Sequence, residues 1–108
     1  MATINYSIDE DAAARYLTVE WSGISSGDEG EAFHCAGLRI ASIHFHGTFS
    51  GGVNILATNE TSPSAYFIID STSSARINLP AYPSVGYIKP NFPSGSGSLN
   101  VSILFLVR

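Results

Sequence analysis

The fold is decided by the stretch IASIHFHGTFSGGVNILAT, which runs from residue 40 to residue 58. In its first half Ala41, Ile43 and Phe45 alternate with polar residues, and its second half alternates in the same way. Alternation with a period of two among β-branched and aromatic residues is typical of strands that bury one face. Between the halves lies Ser50-Gly51-Gly52, whose glycines can take the backbone angles of a tight reversal. The stretch therefore predicts the central hairpin of an all-β domain.

Further strand patterns follow on both sides, about every 8–12 residues, with turn-forming residues between them. Residues 15–22 alternate around Val19 and Trp21. Residues 65–69 are apolar at nearly every position, which predicts a central strand covered on both faces. Residues 75–79 place Ile77 on the inner face. The predicted fold is all-β, an antiparallel β-sandwich of jelly-roll or Greek-key type with about eight strands. The predicted core is Leu17, Val19, Trp21, Ile43, Phe45, Val53, Ile55, Ile68, Ile77, Val101, Ile103 and Phe105.

Two segments in the second half of the chain are rich in proline, glycine and serine. Four prolines, from Pro80 to Pro93, surround residues 85–92. Because proline cannot donate to a ladder, this region is predicted to be an edge strand flanked by loops. Ser94-Gly95-Ser96-Gly97-Ser98 is predicted to be a mobile hairpin tip, since it lies between two strand-like runs.

Residues 1–14 have no strong periodicity and carry the acidic group Asp9-Glu10-Asp11. Two interpretations stay open: a loosely ordered terminus with at most one helical turn, or an extended arm that reaches a neighbouring subunit. Residues 15–108 supply enough strands to close a sandwich. We therefore assign residues 1–14 as an N-terminal arm and residues 15–108 as the β-sandwich domain.

Composition excludes several classes of protein. Charged residues make up 13% of the 108 residues, and the net charge is −4. The five basic residues are scattered, so no basic patch for nucleic acid or for an anionic membrane is visible. Cys35 is the single cysteine, which rules out an internal disulfide and favours a reducing compartment. The first residues lack the basic and apolar regions of a signal peptide. So few charges on a small domain suit a subunit of an assembly.

Two histidines lie close enough in sequence to suggest a metal site. His44 and His46 are two apart on a strand, so both rings share one face, where His34 or Cys35 could add a third ligand. A metal-binding jelly roll of the cupin type has a carboxylate a few residues later, whereas here Thr48-Phe49-Ser50-Gly51 follows. We interpret the pair as polar residues on the outer face of a strand.

No other residues form a catalytic pattern. The acidic residues lie mainly in loops and near the N-terminus, no Gly-x-Ser-x-Gly motif occurs, and His34 and Cys35 face opposite ways on a strand. We therefore predict a protein that is not an enzyme, with no catalytic residues, no cofactor and no metal site. A sugar-stacking platform stays open as an alternative to core or interface roles for the aromatic residues Trp21, Tyr66, Tyr82, Tyr87 and Phe92.

Several motifs between residues 19 and 108 carry a resemblance to known proteins. They are Trp21-Ser22-Gly23, Gly27-Asp28-Glu29-Gly30, Gly47-Thr48-Phe49-Ser50-Gly51-Gly52, and the last run, residues 99–108. The chain resembles a group of small β-sandwich proteins of tailed bacteriophage virions. They share a Trp-x-Gly strand end, a Gly-Asp-x-Gly loop, a Gly-Thr-Phe-Gly-Gly hairpin and a final strand ending in arginine. Ser50 stands where that pattern has a glycine, and Asn59-Glu60-Thr61 departs from its Ser-Asn-Asp-Gly loop.

The resemblance implies a virion structural protein made in the host cytoplasm. Within that group we expect a capsid decoration (cement) protein, on the outer surface of the head, which binds the major capsid protein and forms a homo-oligomer. It would bind neither nucleic acid nor membrane. The alternatives are a tail or head-fibre component and, from another class, a carbohydrate-binding (lectin-like) module, with a metal-dependent enzyme as a more distant possibility. The expected partner-binding residues are Ile4, Tyr6, Tyr82, Tyr87 and Phe92.

Overall fold

The computed structural model describes residues 2–11, 13, 15–79 and 84–107. These residues form eleven strands. The part of the chain that is described contains no helix that could span a membrane. In chain order the strands are β1 (Thr3–Ile4), β2 (Tyr6–Glu10), β3 (Tyr16–Ile24), β4 (Glu29–Gly30), β5 (Phe33–His34), β6 (Leu38–Ser50), β7 (Val53–Thr58), β8 (Phe67–Thr72), β9 (Arg76–Asn78), β10 (Tyr87–Asn91) and β11 (Ser96–Val107).

The strands form two sheets that pack face to face. One has six strands in the order β1-β4-β10-β7-β8, with β5 also paired to β10. The other has five strands in the order β2-β3-β11-β6-β9. Every pairing is antiparallel except that of β1 with β4. The predicted all-β sandwich is confirmed. It has more strands than predicted because pieces of two residues, such as β4 and β5, are too short to show an alternating pattern.

The core lies between the sheets. Leu17 of the predicted core is only partly buried, while nine of its members have no exposed surface at all: Val19, Trp21, Ile43, Phe45, Val53, Ile55, Val101, Ile103 and Phe105. These side chains come from β3, β6, β7 and β11, so both sheets contribute to one continuous apolar layer. Burial of this layer is the main favourable term in folding.

The predicted central hairpin does not form. β6 pairs with β11 and β9, whereas β7 pairs with β10 and β8 in the other sheet. Gly51 and Gly52 therefore carry the chain from one sheet to the other instead of reversing it within one. Gly51 has φ +112°, and a Cβ atom there would overlap the carbonyl oxygen of Ser94.

The segment 94–98 is not a hairpin tip either. β11 begins at Ser96, and it pairs with β6 from its first residue, Ser96 opposite Ser50. The hydroxyl groups of these two serines lie 2.8 Å apart. The segment completes a second crossing between the sheets, directly beside the crossing at residues 51 and 52.

Two bulges change which residues face the core. In β6 the register against β11 shifts beside Ala41, so that Ile40 and Ile43, three apart, are both buried. The predicted inward position of Ala41 is thus taken by Ile40. In β3 a second shift lets Trp21 and Ile24 both face inward. Gly23, with φ +75°, takes the backbone conformation that this bulge requires.

Two predicted core residues, Ile68 and Ile77, are instead exposed, by 61% and 56%. β8 and β9 each end the order of the described strands in their sheets, so β8 is not the central, covered strand that was predicted. Ile77 lies opposite the exposed His44, while Asn78 lies opposite the buried Ile43. The alternation in β9 is therefore one residue out of phase with the prediction.

The proline-rich region also differs from its prediction. β10 is a central strand, between β7 on one side and β4 and β5 on the other. Pro90 lies opposite Ile55 of β7. On the other side, Tyr87 and Ile88 pair with β5 and Asn91 pairs with β4, so that Pro90 lies between the two paired stretches. Proline is tolerated in this central strand because it coincides with the gap between β5 and β4, where no amide donor is needed.

Residues 3–10 add an outer strand to each sheet. β1 pairs with β4 in the six-stranded sheet, and β2 pairs with β3 in the five-stranded sheet. Nine strands begin at or after Tyr16. Independent folding of residues 15–108 stays a prediction.

The indole of Trp21 fits closely between the two sheets. Its Nε1 donates a hydrogen bond to the carbonyl oxygen of Glu31 at 2.9 Å. A Cβ atom added at Gly30 would lie 2.6 Å from the indole and 2.5 Å from the Pro90 ring. Both neighbours are rigid rings in a filled interior, so the second glycine of the Gly-Asp-x-Gly motif is a steric requirement.

We expect Gly30→Ala to lower the free energy of unfolding by about 1–3 kcal/mol, the usual cost of inserting a methyl group into a packed core. Urea denaturation followed by tryptophan fluorescence measures the change. Gly52→Ala is the matched control, since a Cβ atom there meets no heavy atom within 4 Å. Equal stability of the two variants would show that the core around Trp21 adjusts at no cost.

Candidate interaction surfaces

The strands β1 and β2 together with residues 28–31 form what we call the N-terminal edge. Asp28 organises this edge, although the residue is only 9% exposed. Its Oδ1 accepts a hydrogen bond from the N–H of Ala2 at 2.9 Å, and its Oδ2 accepts one from the N–H of Ser25 at 3.0 Å. The carboxylate is thereby satisfied despite its burial, and it ties the beginning of the described chain to the loop before β4.

Two predicted partner-binding residues lie at the N-terminal edge. Ile4 and Tyr6 are both half-buried against the core. The ring of Tyr6 makes edge-on contacts with Trp21 and Phe33, with ring centroids 6.1 Å and 5.2 Å away. Both residues therefore contribute to the packing of the sandwich. Contact of their exposed atoms with a partner protein stays a prediction.

The other three predicted partner-binding residues belong to the region 80–93. Tyr82 lies outside the described residues. Tyr87 is half-buried, with its ring stacked on that of His34 at 4.6 Å. Phe92 is completely buried and contacts Phe49 edge-on. Phe92 offers no surface to a partner, because the chain turns inward at the end of the central strand β10.

The described aromatic residues of the suggested sugar platform do not share an open surface. Trp21 and Phe92 are fully buried. The ring of Tyr66 is covered by the ammonium group of Lys89, 4.4 Å from the ring centroid, and Lys89 also pairs with Glu29. Burial raises the pKa of the Tyr66 phenol. These rings serve packing and cation–π contacts instead of presenting a stacking face.

A polar cluster lies on the outer face of the five-stranded sheet. His44 and His46 project from β6, as the alternation predicts, with ring centroids 4.6 Å apart. His46 Nε2 lies 3.2 Å from Glu20 Oε2 and 3.3 Å from Ser102 Oγ. Ser102 Oγ in turn donates to Glu20 Oε2 at 3.1 Å. Among the described residues, no group of three His, Cys, Asp or Glu side chains is arranged to hold a metal ion.

This cluster contains serine, histidine and glutamate, the residue types of a hydrolase triad, but in the wrong arrangement. In a triad the serine and the carboxylate use different nitrogens of the imidazole ring. Here Ser102 and Glu20 both approach Nε2 of His46. The Ser102 hydroxyl donates its hydrogen bond to the Glu20 carboxylate and not to the imidazole, so His46 does not act as its general base in this arrangement. The cluster is a cross-strand hydrogen-bond network.

The side chain of Cys35 is almost completely buried. It is 1% exposed, and its Sγ donates a hydrogen bond to the carbonyl oxygen of Val85 at 3.3 Å. Burial raises the pKa of the thiol to about 12. The nucleophilic form of cysteine is the thiolate, so this residue is inert near neutral pH.

The side of the sandwich opposite the N-terminal edge carries large exposed hydrophobic side chains. We call it the β8–β9 side, after the strands that end the two sheets there. Asn78 Nδ2 donates to both carboxylate oxygens of Asp70, at 3.0 and 2.9 Å, and so links the two strands. Four large hydrophobic side chains on this side are more than half exposed: Phe67, Ile68, Ile77 and Leu79.

A cleft of about 510 Å³ opens on the β8–β9 side. Its lining is mainly apolar, from Ala57, Phe67, Ile69 and Val85. Glu60 lies at its rim, but its carboxylate is occupied by the N–H groups of Ser64 and Ala65. Exposed apolar residues beside an apolar cleft are typical of a surface that binds another protein.

The sequence did not predict the exposed hydrophobic residues of the β8–β9 side. The run Phe67-Ile68-Ile69 is apolar on both faces, which fits a covered central strand and an exposed edge strand equally well. The turn-rich segments 59–64 and 73–75, on either side of β8, were the available signal, since such flanks suit a peripheral strand. No pattern in one sequence states which strand lies beside β8.

No protein-family model matches the sequence, and no curated protein matches it. Solved structures with a similar fold include the SPBc2 prophage-derived protein YomS, with a TM-score of 0.58 and 16% identity. The match covers 84% of this chain and 94% of YomS. At this identity the likeness concerns the fold.

Two further structures share the fold across 95% of this chain. The cupin domain of Schizosaccharomyces pombe Cnp3 has a TM-score of 0.53 and 8% identity, over 60% of that chain. The glycoside hydrolase CpGH89 of Clostridium perfringens has a TM-score of 0.52 and 11% identity, but only 11% of its chain is matched. The likeness to a cupin domain agrees with the predicted jelly-roll type of sandwich.

We expect the Cys35 thiol of the folded protein to react with iodoacetamide at pH 8.5 at least about a hundredfold more slowly than in the unfolded chain. Stability should fall as the pH rises from about 9 towards 12, because only the unfolded thiol ionises in that window. Mass spectrometry of the alkylated protein gives the rates. Ser7→Cys in a Cys35→Ala background supplies an exposed control thiol. Equal rates for the two thiols would show that Cys35 is accessible.

We expect the protein to contain no structural metal at His44 and His46, since Glu20 and Ser102 already occupy Nε2 of His46. A chelator should leave the melting temperature unchanged, as measured by differential scanning fluorimetry. His44→Ala with His46→Ala serves as the comparison, and its melting temperature should not respond to the chelator either. One metal ion per chain by elemental analysis, lost in this double variant, would contradict the expectation.

Proposed function

We propose that this protein is a bacteriophage virion structural protein, a capsid decoration (cement) protein that binds the major capsid protein on the outer surface of the head. The observation that carries the proposal is the fold it shares with a prophage-derived protein over nearly the whole length of both chains. The motifs centred on Trp21, Asp28 and Gly47 support it. In this proposal the protein acts by binding, not by catalysis, and contacts neither nucleic acid nor membrane.

The uses of the acidic side chains favour binding over catalysis. Asp28 and Glu60 accept main-chain hydrogen bonds, and Asp70 accepts two from Asn78. The N–H groups of Ser64 and Ala65 hold the pKa of Glu60 below its usual range. Each of these carboxylates is engaged by hydrogen bonds from within the sandwich, and none of them is paired with a second described carboxylate. They fix loops and strand ends, as a rigid binding domain requires.

The N-terminal edge is the surface that we assign to the capsid. Ile8 of β2 is 52% exposed, and it is followed by the exposed Asp9 and Glu10. β2 ends the order of described strands in its sheet, so its outer side faces away from the sandwich. Acidic side chains beside an apolar centre suit a basic rim on the partner. Many copies on one particle reinforce each other, so each contact needs only modest affinity.

The direct test adds purified protein to heads that lack it and measures binding by sedimentation. We expect saturable binding to heads and a higher temperature of head disruption. Binding to isolated tails and not to heads would favour the tail or head-fibre alternative. Binding to a glycan array and not to heads would favour the carbohydrate-binding alternative. Either result would overturn the decoration role.

Deleting residues 2–13 should weaken attachment to heads, because it removes the whole N-terminal edge contributed by β1 and β2. The nine strands from Tyr16 onward remain, so we expect the truncated chain to fold. Its melting temperature should be lower, since Tyr6 no longer packs on Trp21 and Phe33. Circular dichroism and head occupancy are the measurements. Undiminished occupancy would refute the arm hypothesis, and failure to fold would show that residues 1–14 belong to the core.

A surface variant separates attachment from folding. Ile8→Ser with Asp9→Asn changes exposed side chains of β2 without removing the strand. We expect head occupancy to fall while the melting temperature stays within a few degrees of the unmodified protein, as is usual for surface substitutions. Thr48→Ala, at an exposed position on β6, is the control and should retain full occupancy.

A further inference from the structure

The β8–β9 side combines exposed apolar projections with an apolar cleft. Phe67 is 70% exposed and Leu79 is 79% exposed. Phe67 also forms one wall of the cleft that Ala57 and Val85 line. A surface that carries both shapes can be filled by a second copy of itself across a two-fold axis. We propose that two copies of this chain associate through the β8–β9 side, each placing apolar side chains in the cleft of the other.

The distribution of charge selects the two-fold arrangement. Six of the nine acidic residues lie in the groups 9–11 and 28–31, at the N-terminal edge. A head-to-tail arrangement would set those acids against the apolar cleft of the next copy, which is unfavourable. A two-fold arrangement places the acidic edges at opposite ends of the dimer. Three described charged residues lie on this side. Asp70 is hydrogen-bonded to Asn78, the Glu60 carboxylate accepts the N–H groups of Ser64 and Ala65, and Arg76 of β9 is exposed.

The direction in which Asp70 and Asn78 point indicates which groups form the contact. Asp70 lies opposite Ile55 and Asn78 lies opposite Ile43, both of which are buried. Asp70 and Asn78 therefore point between the sheets. Polar and charged residues that point inward from terminal strands oppose open-ended strand addition. We infer that the two copies contact each other through side chains and not through backbone hydrogen bonds between their strands. Such a contact is complete with two copies and does not extend to a third.

The dimensions predict a reversible dimer. The six residues of β8 span about 20 Å. The shortest extent of the sandwich is 24 Å. A contact of these two dimensions on each copy would bury on the order of 1,000 Å² of surface in total. This area is at the lower end for specific protein interfaces. We expect a dissociation constant on the order of micromolar, within the wide range found for interfaces of modest size.

Self-association goes beyond the proposed virion role and does not depend on it. The dimer leaves both N-terminal edges free. Failure of the dimer would by itself leave the assignment of β2 to the capsid untouched, and failure of head binding would leave the dimer untouched. The two proposals are therefore separable by variants on opposite sides of the sandwich.

Sedimentation velocity of the full chain, from about 1 μM to 1 mM, tests the proposal across the expected affinity range. We expect a shift from monomer to dimer. Phe67→Glu and Leu79→Glu should each weaken association at least about tenfold, since they place a charge in an apolar contact. Ile8→Glu, at a hydrophobic position on β2 that is 52% exposed, is the control and should not change it. Circular dichroism verifies that each variant is folded.

Hydrogen–deuterium exchange at low and high protein concentration supplies a second measurement. Peptides covering residues 67–72 and 76–78 should become protected as the dimer forms, while peptides covering residues 6–10 should not. A monomer at every concentration would overturn the proposal, as would growth beyond dimers. It would also fail if Ile8→Glu dissociates the dimer and Phe67→Glu does not. A monomer whose Phe67→Glu variant no longer binds heads would assign this side to the capsid protein instead.

Discussion

The structure depends on the place that Trp21 occupies between the two sheets. The indole comes from β3 of the five-stranded sheet and donates its hydrogen bond to Glu31, which directly follows β4 of the other sheet. Pro90 and Gly30 line the same space, and Tyr6 covers it edge-on. A larger residue at position 30 would overlap the indole, and a smaller residue at position 21 would leave a cavity. The indole therefore ties β3 to the residue after β4 and fills the space between the sheets at this point.

Two crossings of the chain between the sheets lie side by side and connect the sheets at one end of the sandwich. The chain passes between sheets at residues 51 and 52 and again after Phe92, and the pairing of Ser50 with Ser96 holds the two crossings together. The N–H of Gly95 donates to Ser26 Oγ, and the N–H of Gly27 donates to the carbonyl oxygen of Phe92. Small residues predominate there because the backbones approach too closely for side chains.

Polar and apolar groups are separated between the two sides of the sandwich. The acidic groups gather at the N-terminal edge, while Phe67, Ile68 and their neighbours are exposed on the β8–β9 side. On the outer face between them, His46 and Glu20 bind each other across strands instead of forming a reactive centre. The two sides of the sandwich therefore differ in chemistry, as the two proposed contacts with different neighbours require.

The sequence by itself determined the class of fold and most of the core. Alternation around Val19, Phe45 and Val101 identifies buried faces because a strand has a period of two. Only the tertiary structure decided which strands are neighbours. The glycines at 51 and 52 permit a hairpin or a crossing equally well, and the apolar run at 67–69 fits a central or a terminal strand. Pairing partners, bulges and sheet order arise from contacts between residues far apart in the chain, and local patterns carry no information about them.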